Sequence, residues 1–526
     1  MLWISDPWSR SSNERPLDQL KSRATTYPRL RLESSRIAYA ALAIAFCASR
    51  ILYYLAGVRF DAEPLDFYIQ FIDPPLLRHD LWRSLFYLKE QPPAFNLFLG
   101  LVLKLFQSHS TAAFHAIYLC LGFVLALSLF ALLERMQVSR PIAFVITLVF
   151  SLNPITVLYE NWLFYEYPLT VLFCVAALFL HRYASSGRAF DGSVFFWCLA
   201  IIGGIRSVYH LLWFVLMAVF VGFSFRRWTQ RTILVALIPG VLLLSLYVKN
   251  FVLFRTVMPG TETFGAANLA KLATKMLPKN TVPDLIAAGK ISPSILIANL
   301  PEMDVDVIER MVPVPPATGI PILDQQFTAM DGLNWNSLWL SDVAKLYRKD
   351  AMTVLRLYPM GYVRSVLQNL DRILMPATDG FPFDARETDN LLLLAKPLNV
   401  YILLTTGETS TGTKPGHYTP RYGWMKYFVL PGLLGFGLWR LIRAMTGTAE
   451  KRWPLDKPTC TTLLFIVFQI VYLSAVVVLL SESDQNRYRE EVSAFFPVLL
   501  GMLVTACWGA FRDSRSSQAR AQAAAR

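Results

Sequence analysis

Long apolar runs constrain this chain more than any other feature. A run of about 18 or more apolar residues is long enough to cross a bilayer as a helix, and such runs recur along the sequence. Charged residues make up only 17% of the chain, against about 25% in an average soluble protein, and the mean hydropathy is +0.41. The sequence therefore predicts a mainly α-helical, polytopic membrane protein.

The sequence predicts ten spans. They are 37–57, 112–133, 141–158, 167–181, 190–206, 208–224, 232–254, 425–443, 459–480 and 493–511. The fifth and sixth runs nearly touch, which indicates a tight helical hairpin. A shorter run, "PAFNLFLGLVLKLF" (93–106), has the length of a re-entrant or interfacial helix rather than a span.

The positions of Lys and Arg predict the orientation, because short cytoplasmic loops carry an excess of these residues. They are concentrated in 1–36, in the loops 181–188, 226–231 and 443–457, and in the tail 512–526. Ten spans place all of these on one side, so we expect both termini in the cytoplasm and the first span to act as an uncleaved anchor. The same loops account for the net charge of +13 and make nucleic-acid binding a poor interpretation.

The spans divide the chain into five predicted segments. They are a basic cytoplasmic segment (1–36), a transmembrane bundle (37–254) whose first outside loop is 58–111, an extracytoplasmic domain (255–424), C-terminal transmembrane helices (425–511) and a cytoplasmic tail (512–526). The segment 255–424 is domain-sized and has short helical patterns, so we expect a largely helical lid on one face of the bundle. All six cysteines fall in or near predicted spans, which indicates neither a disulfide framework nor a zinc site. The predicted outside loops have no Asn-x-Ser/Thr sequon, which fits a bacterial inner membrane.

An acidic cluster follows the first span directly. The stretch "GVRFDAEPLDFYIQF" (57–71) contains Asp61, Glu63 and Asp66. Carboxylates at a membrane surface are costly unless they are hydrated, paired or used. A structural interpretation stays open, in which Asp61 caps the next helix. The loop continues through "FIDPPLL" (71–77) and "HDLWRSLFYLKE" (79–90) to "QPPAFNLFLG" (91–100).

This order of features resembles the GT-C superfamily of membrane glycosyltransferases, which includes the protein O-mannosyltransferases and the lipid A aminoarabinose transferases. In those enzymes an acidic pair follows the first span, interfacial helices come next, and a "QPP" or "HPP" precedes an apolar run. The resemblance covers 37–230 best, together with the last outside loop, and it does not extend to 255–424. It implies that a sugar passes from a polyprenyl-phosphate donor to a hydroxyl of a glycan, lipid or protein acceptor on the extracytoplasmic face.

The implied reaction suggests roles for the acidic cluster. A hydroxyl is a poor nucleophile and needs a general base near the anomeric carbon. Asp61 is the first candidate for this base and Asp66 the second, while Glu63 would orient the acceptor or hold a metal. Oxygen ligands of this kind suit a divalent cation such as Mg²⁺ or Mn²⁺. A monophosphate leaving group does not require a metal where Arg and Lys neutralise its charge, so no metal ligands are assigned and a divalent cation stays open.

Candidate basic side chains for binding the donor phosphate occur in two stretches of the sequence. The last outside loop, "SESDQNRYREE" (481–491), places Arg487 and Arg489 about one turn above the final span, and related transferases often carry a "Glu…Arg-Tyr-Arg" stretch there. An Arg fork matches phosphate oxygens well. Arg206 and His210, in "GIRSVYHLLWF" (204–214), form a second candidate pair. The structural alternatives are an interfacial anchor paired with Glu490 or Glu491 for the first pair, and a polar contact at the membrane surface for the second.

The hairpin tip "YENWLFYEYP" (159–168) has two carboxylates and no Lys or Arg. Glu160, Glu166 and Tyr165 are candidates for binding sugar hydroxyls and stacking on a sugar ring, although aromatic rings are ordinary at membrane interfaces.

Five further residues contribute less to the hypothesis. Lys249 and Arg255 could simply snorkel, Arg50 stays unassigned, and His417 and Asp379 in the lid are minor candidates.

Three other functional classes stay open. A flippase or transporter of lipid-linked sugars would show Gly/Pro-broken spans in two matching halves, and the sequence has no such internal symmetry. A polysaccharide polymerase or ligase also has many spans and a large outside loop, but it relies on arginines and a histidine in that loop. A non-catalytic scaffold is a third alternative, which the concentrated carboxylates and arginines disfavour.

Overall fold

The computed structural model describes most of the chain. The described residues are 28–225, 229–257, 260, 262–297, 310, 312–329, 332–379, 389–410, 418–420, 424–446, 455–482 and 485–524. Within them the fold is mainly helical, as the sequence predicts, with one small antiparallel sheet of two strands, β1 (Glu408–Ser410) and β2 (Tyr418–Pro420).

The helices up to the predicted outer segment form most of the membrane bundle. They are α1 (Pro28–Leu55), α2 (Pro64–Phe67), α3 (Pro74–His79), α4 (Leu81–Tyr87), α5 (Ala94–Phe106), α6 (Ser110–Arg135), α7 (Arg140–Leu152), α8 (Pro154–Glu160), α9 (Glu166–Ser186), α10 (Ala189–Ile205), α11 (Leu211–Ser224) and α12 (Thr229–Phe254). A single turn of 3-10 helix, Gln107–His109, joins α5 to α6.

The second half of the chain adds the outer segment and the last spans. Its helices are α13 (Thr263–Thr274), α14 (Thr281–Ala287), α15 (Ser294–Ile297), α16 (Pro321–Asp324), α17 (Leu338–Leu357), α18 (Pro359–Arg372), α19 (Asp389–Leu393), α20 (Ala395–Thr405), α21 (Lys426–Met445), α22 (Lys457–Leu480), α23 (Gln485–Tyr488) and α24 (Phe495–Ala524). A second 3-10 segment, Arg489–Val492, separates α23 from α24.

Seven helical stretches in the described residues are long and apolar enough to cross a membrane. They are Arg36–Leu55, Ala94–Arg135, Glu166–Ser186, Thr229–Phe254, Lys426–Met445, Lys457–Leu480 and Phe495–Arg512. The pair α7 and α8, bent by 57°, makes an eighth if it is counted as one span. A helix lies at each of the ten predicted spans, but α10 and α11 have only 17 and 14 residues. The prediction of a mainly helical protein with several helices long and apolar enough to span a membrane is therefore confirmed, and the count of ten stays a prediction.

The bend between α7 and α8 has an identifiable cause. Pro154 cannot continue the hydrogen bonding of α7, and Asn153 starts the new helix by accepting a hydrogen bond from the Ile155 amide (2.9 Å). Backbone carbonyls exposed at membrane depth need partners. Arg50 Nη1 donates to the carbonyl of Ser151 (2.9 Å), and the Tyr53 hydroxyl donates to the carbonyl of Leu152 (2.9 Å). Two side chains of α1 thus provide hydrogen-bond donors for the carbonyls at the end of α7.

Helix α9 lies at the centre of the bundle and packs against α6, α10 and α22. Most of its side chains are buried, so it is apolar on nearly every face. A helix of this kind belongs to the interior of a large bundle. Its first residue, Glu166, therefore lies in the protein interior at the end of the bundle where the first outside loop folds.

The predicted outer segment contributes to two separate cores. Its own core lies between α13 and α17, where small residues at positions 266, 267, 270 and 273 allow Trp339 and Tyr347 to pack closely. Its later helices, α19 and α20, instead pack into the main core through Leu391, Leu394 and Leu398. This segment is therefore in part continuous with the bundle.

Candidate functional site

The first outside loop lies directly against the hairpin tip 159–168. The Asp61 amide donates to the carbonyl of Asn161 (2.8 Å), and the Leu163 amide donates to the carbonyl of Asp61 (2.8 Å), which makes a short parallel bridge. Two segments that the sequence singled out separately are therefore neighbours.

The Asp61 carboxylate has a local structural role. Its Oδ1 accepts a hydrogen bond from the Glu63 amide (2.8 Å), which fixes the turn immediately before Pro64 at the start of α2. The capping interpretation is wrong in detail, because Glu63 is the N-cap residue of α2 and the amide that Asp61 binds precedes the helix. Asp61 is half-buried, and Glu63 and Asp66 are exposed, so all three carboxylates border solvent.

A buried cluster of charges lies at the start of α9. Glu166 is fully buried, and its Oε1 lies 3.3 Å from Arg206 Nη1 and 3.4 Å from Arg487 Nε. These distances exceed the 2.7–2.9 Å usual for a charge-assisted hydrogen bond between nitrogen and oxygen. The other oxygen, Oε2, has no hydrogen-bond partner among the described residues. Two guanidinium groups from distant elements thus converge loosely on one carboxylate.

Arg206 extends this cluster to a second carboxylate. Its Nε lies 3.1 Å from Glu491 Oε1, and the Tyr209 hydroxyl donates to Glu491 Oε2 (2.6 Å). The guanidinium also lies over two rings, 4.5 Å from the centroid of Tyr165 and 3.9 Å from that of Tyr488. Cation–π contacts of this kind are stronger when the cation is desolvated, so the two rings help to stabilise the buried guanidinium.

Tyr68 and Gln70 of the first outside loop cover the cluster together with Tyr165 of the hairpin tip. The hydroxyls of Tyr68 and Tyr165 are 2.9 Å apart, and Tyr165 donates to Gln70 Oε1 (2.6 Å). Arg487 Nη2 is 3.4 Å from the Tyr68 hydroxyl. Burial raises the pKa of both tyrosines, so they stay protonated hydrogen-bond donors at neutral pH.

The last outside loop places two glutamates beside this cluster. Burial raises the pKa of Glu490 to about 7 and raises that of Glu491 as well. The Glu490 carbonyl accepts a hydrogen bond from the Thr170 hydroxyl (2.7 Å), which ties the loop to α9. A carboxyl that titrates near neutral pH is typical of functional sites, although structural ion pairs also perturb pKa values.

The two arginines predicted to act together have different surroundings. Arg489 Nη1 donates to the carbonyl of Ile373 (2.6 Å) and Nη2 to that of Met375 (2.8 Å). Its fork is therefore engaged by the backbone that follows α18, and Arg489 ties the last outside loop to the outer segment. Arg487 alone of this pair lies in the charge cluster.

Glu160 also lies outside the cluster. Arg50 holds it in a two-pronged ion pair, with Nε to Oε1 at 2.8 Å and Nη2 to Oε2 at 2.7 Å. The Tyr167 hydroxyl donates to the same Oε2 (2.7 Å). This closed geometry is that of a structural ion pair, and it explains the otherwise unassigned Arg50.

The remaining candidates make local contacts. His210 precedes α11, where its carbonyl accepts from the Phe214 amide, and Lys249 donates to the carbonyl of Leu88 (2.5 Å). Arg255 lies over the ring of Phe251 at 5.9 Å. The carbonyl of Asp379 accepts from Asn486 (2.6 Å). His417 lies outside the described residues.

Metal binding gains no geometric support. Among the residues that the structure describes, no group of three or more His, Cys, Asp or Glu side chains is arranged to hold a metal ion. A divalent cation at Asp61 and Glu63 stays a prediction from the sequence.

Comparison with known proteins gives no relative. No family model matches the sequence, and neither the curated proteins nor the solved structures provide a match. The resemblance to GT-C transferases therefore depends on the order of the sequence features, and the geometry of the cluster carries the functional argument.

Sequence reasoning missed several members of the cluster. Tyr68 and Gln70 belong to the acidic stretch 57–71, but aromatic and amide residues there give no distinctive sequence signal. Tyr209 lies one residue from His210, which was selected instead. Glu491 was anticipated as a partner of Arg487 or Arg489, whereas the structure pairs it with Arg206.

Proposed function

We propose that this protein is a membrane glycosyltransferase that moves a sugar from a polyprenyl-phosphate donor to an acceptor hydroxyl at the outer ends of its spans. One observation carries the proposal, namely the loose convergence of Arg206 and Arg487 on a single oxygen of Glu166. The buried pair of Arg50 and Glu160 has short, two-pronged contacts and is complete by itself. The Glu166 cluster has longer contacts, and so it can exchange its carboxylate for another anion.

A phosphate is the anion that suits these two guanidinium groups, as the diester of the bound sugar donor and as the monoester that leaves. A guanidinium presents parallel N–H groups that match two oxygens of a phosphate, and two of them neutralise the charge that develops as the phosphate leaves. The cluster is buried beneath Tyr68 and Gln70, so binding requires this part of the first outside loop to move. A lipid donor suits the location, because the cluster lies at the end of α9, which is long and apolar enough to cross the membrane.

The acidic loop supplies a base on the same side of the bundle. The backbone of Asp61 is hydrogen-bonded to that of Leu163. Leu163 and Glu166 are three residues apart, and each Cα step is about 3.8 Å, so the Cα atoms of Leu163 and Glu166 are at most about 11 Å apart. In the proposed reaction Asp61, or Asp66 in its place, takes the proton of the acceptor hydroxyl. The oxygen then forms a bond to the anomeric carbon, and the sugar–phosphate bond breaks with its electron pair remaining on the phosphate.

The transport alternative has one observation in its favour. The broken pair α7 and α8 is a discontinuous helix, and transporters often build their sites from such breaks. Here the carbonyls at the break are bonded to Arg50 and Tyr53, which favours a structural role for it. The two functions differ in product, since only a transferase releases polyprenyl phosphate free of its sugar.

Donor binding tests the phosphate site. We expect Arg487→Gln and Arg206→Gln to weaken binding of a polyprenyl monophosphate probe to the purified protein about tenfold or more. The reason is that each charge-assisted hydrogen bond contributes roughly 1.5–3 kcal/mol, and about 1.4 kcal/mol is a factor of ten. Lys249→Gln is the matched control, because it removes a partly buried cation that bonds to a backbone carbonyl instead. Parental affinity in the doubly substituted variant would show that the cluster does not bind the donor.

A further inference from the structure

Helix α18 (Pro359–Arg372) has three distinct faces. One face is buried at every fourth residue, Gly361, Ser365 and Asn369. A second face is polar and exposed, with Arg364 and Gln368. The third face is apolar yet exposed, and its side chains have exposed fractions of 61% at Met360, 41% at Val363, 61% at Leu367 and 52% at Leu370. Their spacing of three, four and three residues places them in one stripe along the helix.

The buried face fastens α18 to the end of one apolar helix. Asn369 Nδ2 donates to the carbonyls of Val478 (3.0 Å) and Ser481 (2.8 Å), and the Tyr362 hydroxyl donates to the carbonyl of Leu479 (3.0 Å). These carbonyls belong to the last turn of α22 and the residue after it, so they are the acceptors that a helix end leaves unsatisfied. The depth of α18 is thereby set at the end of a candidate span.

The C-terminal end of α18 is fastened to a second apolar helix. Asp371 Oδ1 lies 2.9 Å from Lys426 Nζ, and the Tyr427 hydroxyl also bonds to Asp371. Lys426 is the first residue of α21. Because Asn369 and Asp371 are two residues apart on α18, the start of α21 and the end of α22 lie close together. Helix α18 therefore lies across the ends of two candidate spans.

The surroundings of the stripe are also apolar and exposed. At the end of α22, Leu479 and Leu480 are exposed, and at the start of α21 so are Trp424, Tyr427 and Phe428. Trp and Tyr are enriched where a spanning helix passes from the acyl region to the headgroups. The exposed residues at the end of α22 and the start of α21 are thus of the types found where spanning helices leave the acyl region of a bilayer.

We infer that α18 is an interfacial helix whose apolar stripe lies in the bilayer leaflet on this side, which the predicted topology makes the outer leaflet. Its partner is the lipid surface. A helix with an apolar face, a polar face and attachment at the depth of the span ends lies in the plane of the interface and buries the apolar side chains among the acyl chains. Arg364 and Gln368 then face the headgroups and water.

This placement changes how the outer segment is understood. The backbone directly after α18, at Ile373 and Met375, holds Arg489 of the loop that supplies Arg487. An interfacial α18 would therefore fix the last outside loop relative to the membrane surface. The inference does not depend on the proposed transferase activity, since only the membrane character of the helices is needed for it.

Spin labels on neighbouring residues test the inference. The exposed and half-exposed native cysteines, Cys47, Cys120, Cys460 and Cys507, are first replaced by serine or alanine in the full chain. A nitroxide is then attached at Leu367→Cys, or at Gln368→Cys as the matched control on the polar face, with the protein in lipid nanodiscs. Oxygen concentrates in the acyl region, whereas a nickel chelate stays in water. We expect the ratio of oxygen to nickel accessibility to be several-fold higher at position 367 than at 368.

Two results would overturn the inference. Equal nickel accessibility at both positions would mean that the stripe faces water. Protection of position 367 from both reagents would mean that a second copy or another part of a protein covers it. Val363→Cys provides a second site on the stripe, so that failure of one labelled variant to fold leaves the comparison intact.

Discussion

At the scale of single residues, two buried groups of Arg and Glu side chains have the same chemistry but different geometry. Arg50 and Glu160 match each other with two short contacts and also close a helix break. Arg206 and Arg487 share one oxygen of Glu166 at longer distances. Removing one partner of a buried pair leaves an uncompensated charge, which typically costs about 3–5 kcal/mol. We therefore expect substitutions at Glu160 to change folding alone, and under the proposed function those at Arg206 or Arg487 to change both folding and donor binding.

Asp61→Asn separates the turn from the chemistry. The amide oxygen of Asn can still accept the hydrogen bond of the Glu63 amide, but the side chain can no longer act as a base. We expect an unchanged melting temperature and a loss of sugar transfer of about 10²–10⁴-fold, measured with a polyprenyl-phosphate sugar. Asp66→Asn is the comparison, and a larger loss there would reverse the two roles. If both variants keep the parental rate, only the structural role of Asp61 stands.

Glu490 makes the stability depend on pH. Burial raises its pKa in the folded protein to about 7 from an ordinary value of 4.5, so between these values the folded state binds more protons than the unfolded state. Stability from this group is present below about pH 4.5 and is lost as the pH rises to about 7. We expect the Glu490→Gln variant to show a flatter dependence of melting temperature on pH over this range than the parent. Identical pH dependence in the two proteins would contradict the assignment.

At the scale of elements, close packing between helices positions the hairpin tip that leads into α9. A side chain at Gly122 of α6 would overlap the Glu160 carboxylate and lie 2.7 Å from the Tyr167 hydroxyl. The glycine therefore makes room for the ion pair that secures α8 to α1. The parallel bridge between Asp61 and Trp162 then joins the same tip to the first outside loop.

Gly122→Ala tests this packing. We expect it to lower stability by about 1–3 kcal/mol, as is typical when extra atoms are forced into a packed interior. Gly222→Ala in α11 is the matched control, because a β-carbon there meets nothing within 4 Å and alanine favours a helix more than glycine does. Thermal unfolding in detergent compares the two, and equal melting temperatures would mean that the Glu160 pair tolerates displacement.

At the scale of the whole molecule, the outer segment is not separate from the bundle. Helices α19 and α20 bury leucines in the main core, and α18 is bonded to the ends of α21 and α22. The candidate site lies where the first outside loop, the hairpin tip and the last outside loop meet. Tyr68 and Gln70 of the first outside loop are joined to Tyr165 at the cluster by hydrogen bonds. Under the proposed function, movement of this loop would therefore open the cluster without disturbing the helices.

Cysteine accessibility tests the predicted topology. Lys290→Cys lies at an exposed position of the outer segment, and Ser514→Cys is exposed near the end of α24. In intact cells or sealed right-side-out vesicles, where the predicted outer face is accessible, we expect an impermeant thiol reagent to modify position 290 and to reach position 514 only after the membrane is opened. Lys290 is preferred to its neighbour Ser292, which is hydrogen-bonded to Asp350. Modification of position 290 only after opening would reverse the orientation.

The amino-acid sequence determined the helical membrane architecture. Long apolar runs must form helices in a bilayer because each backbone polar group needs a partner within the same segment, and a helix lies at every predicted span. The sequence also selected Glu166, Arg206 and Arg487 as candidates. Only the tertiary structure decided that these three lie together, that Arg489 and Glu160 have other partners, and that Tyr68 and Glu491 belong to the cluster. Charge pairing depends on short distances between segments far apart in the chain, and local sequence patterns contain no information about those distances.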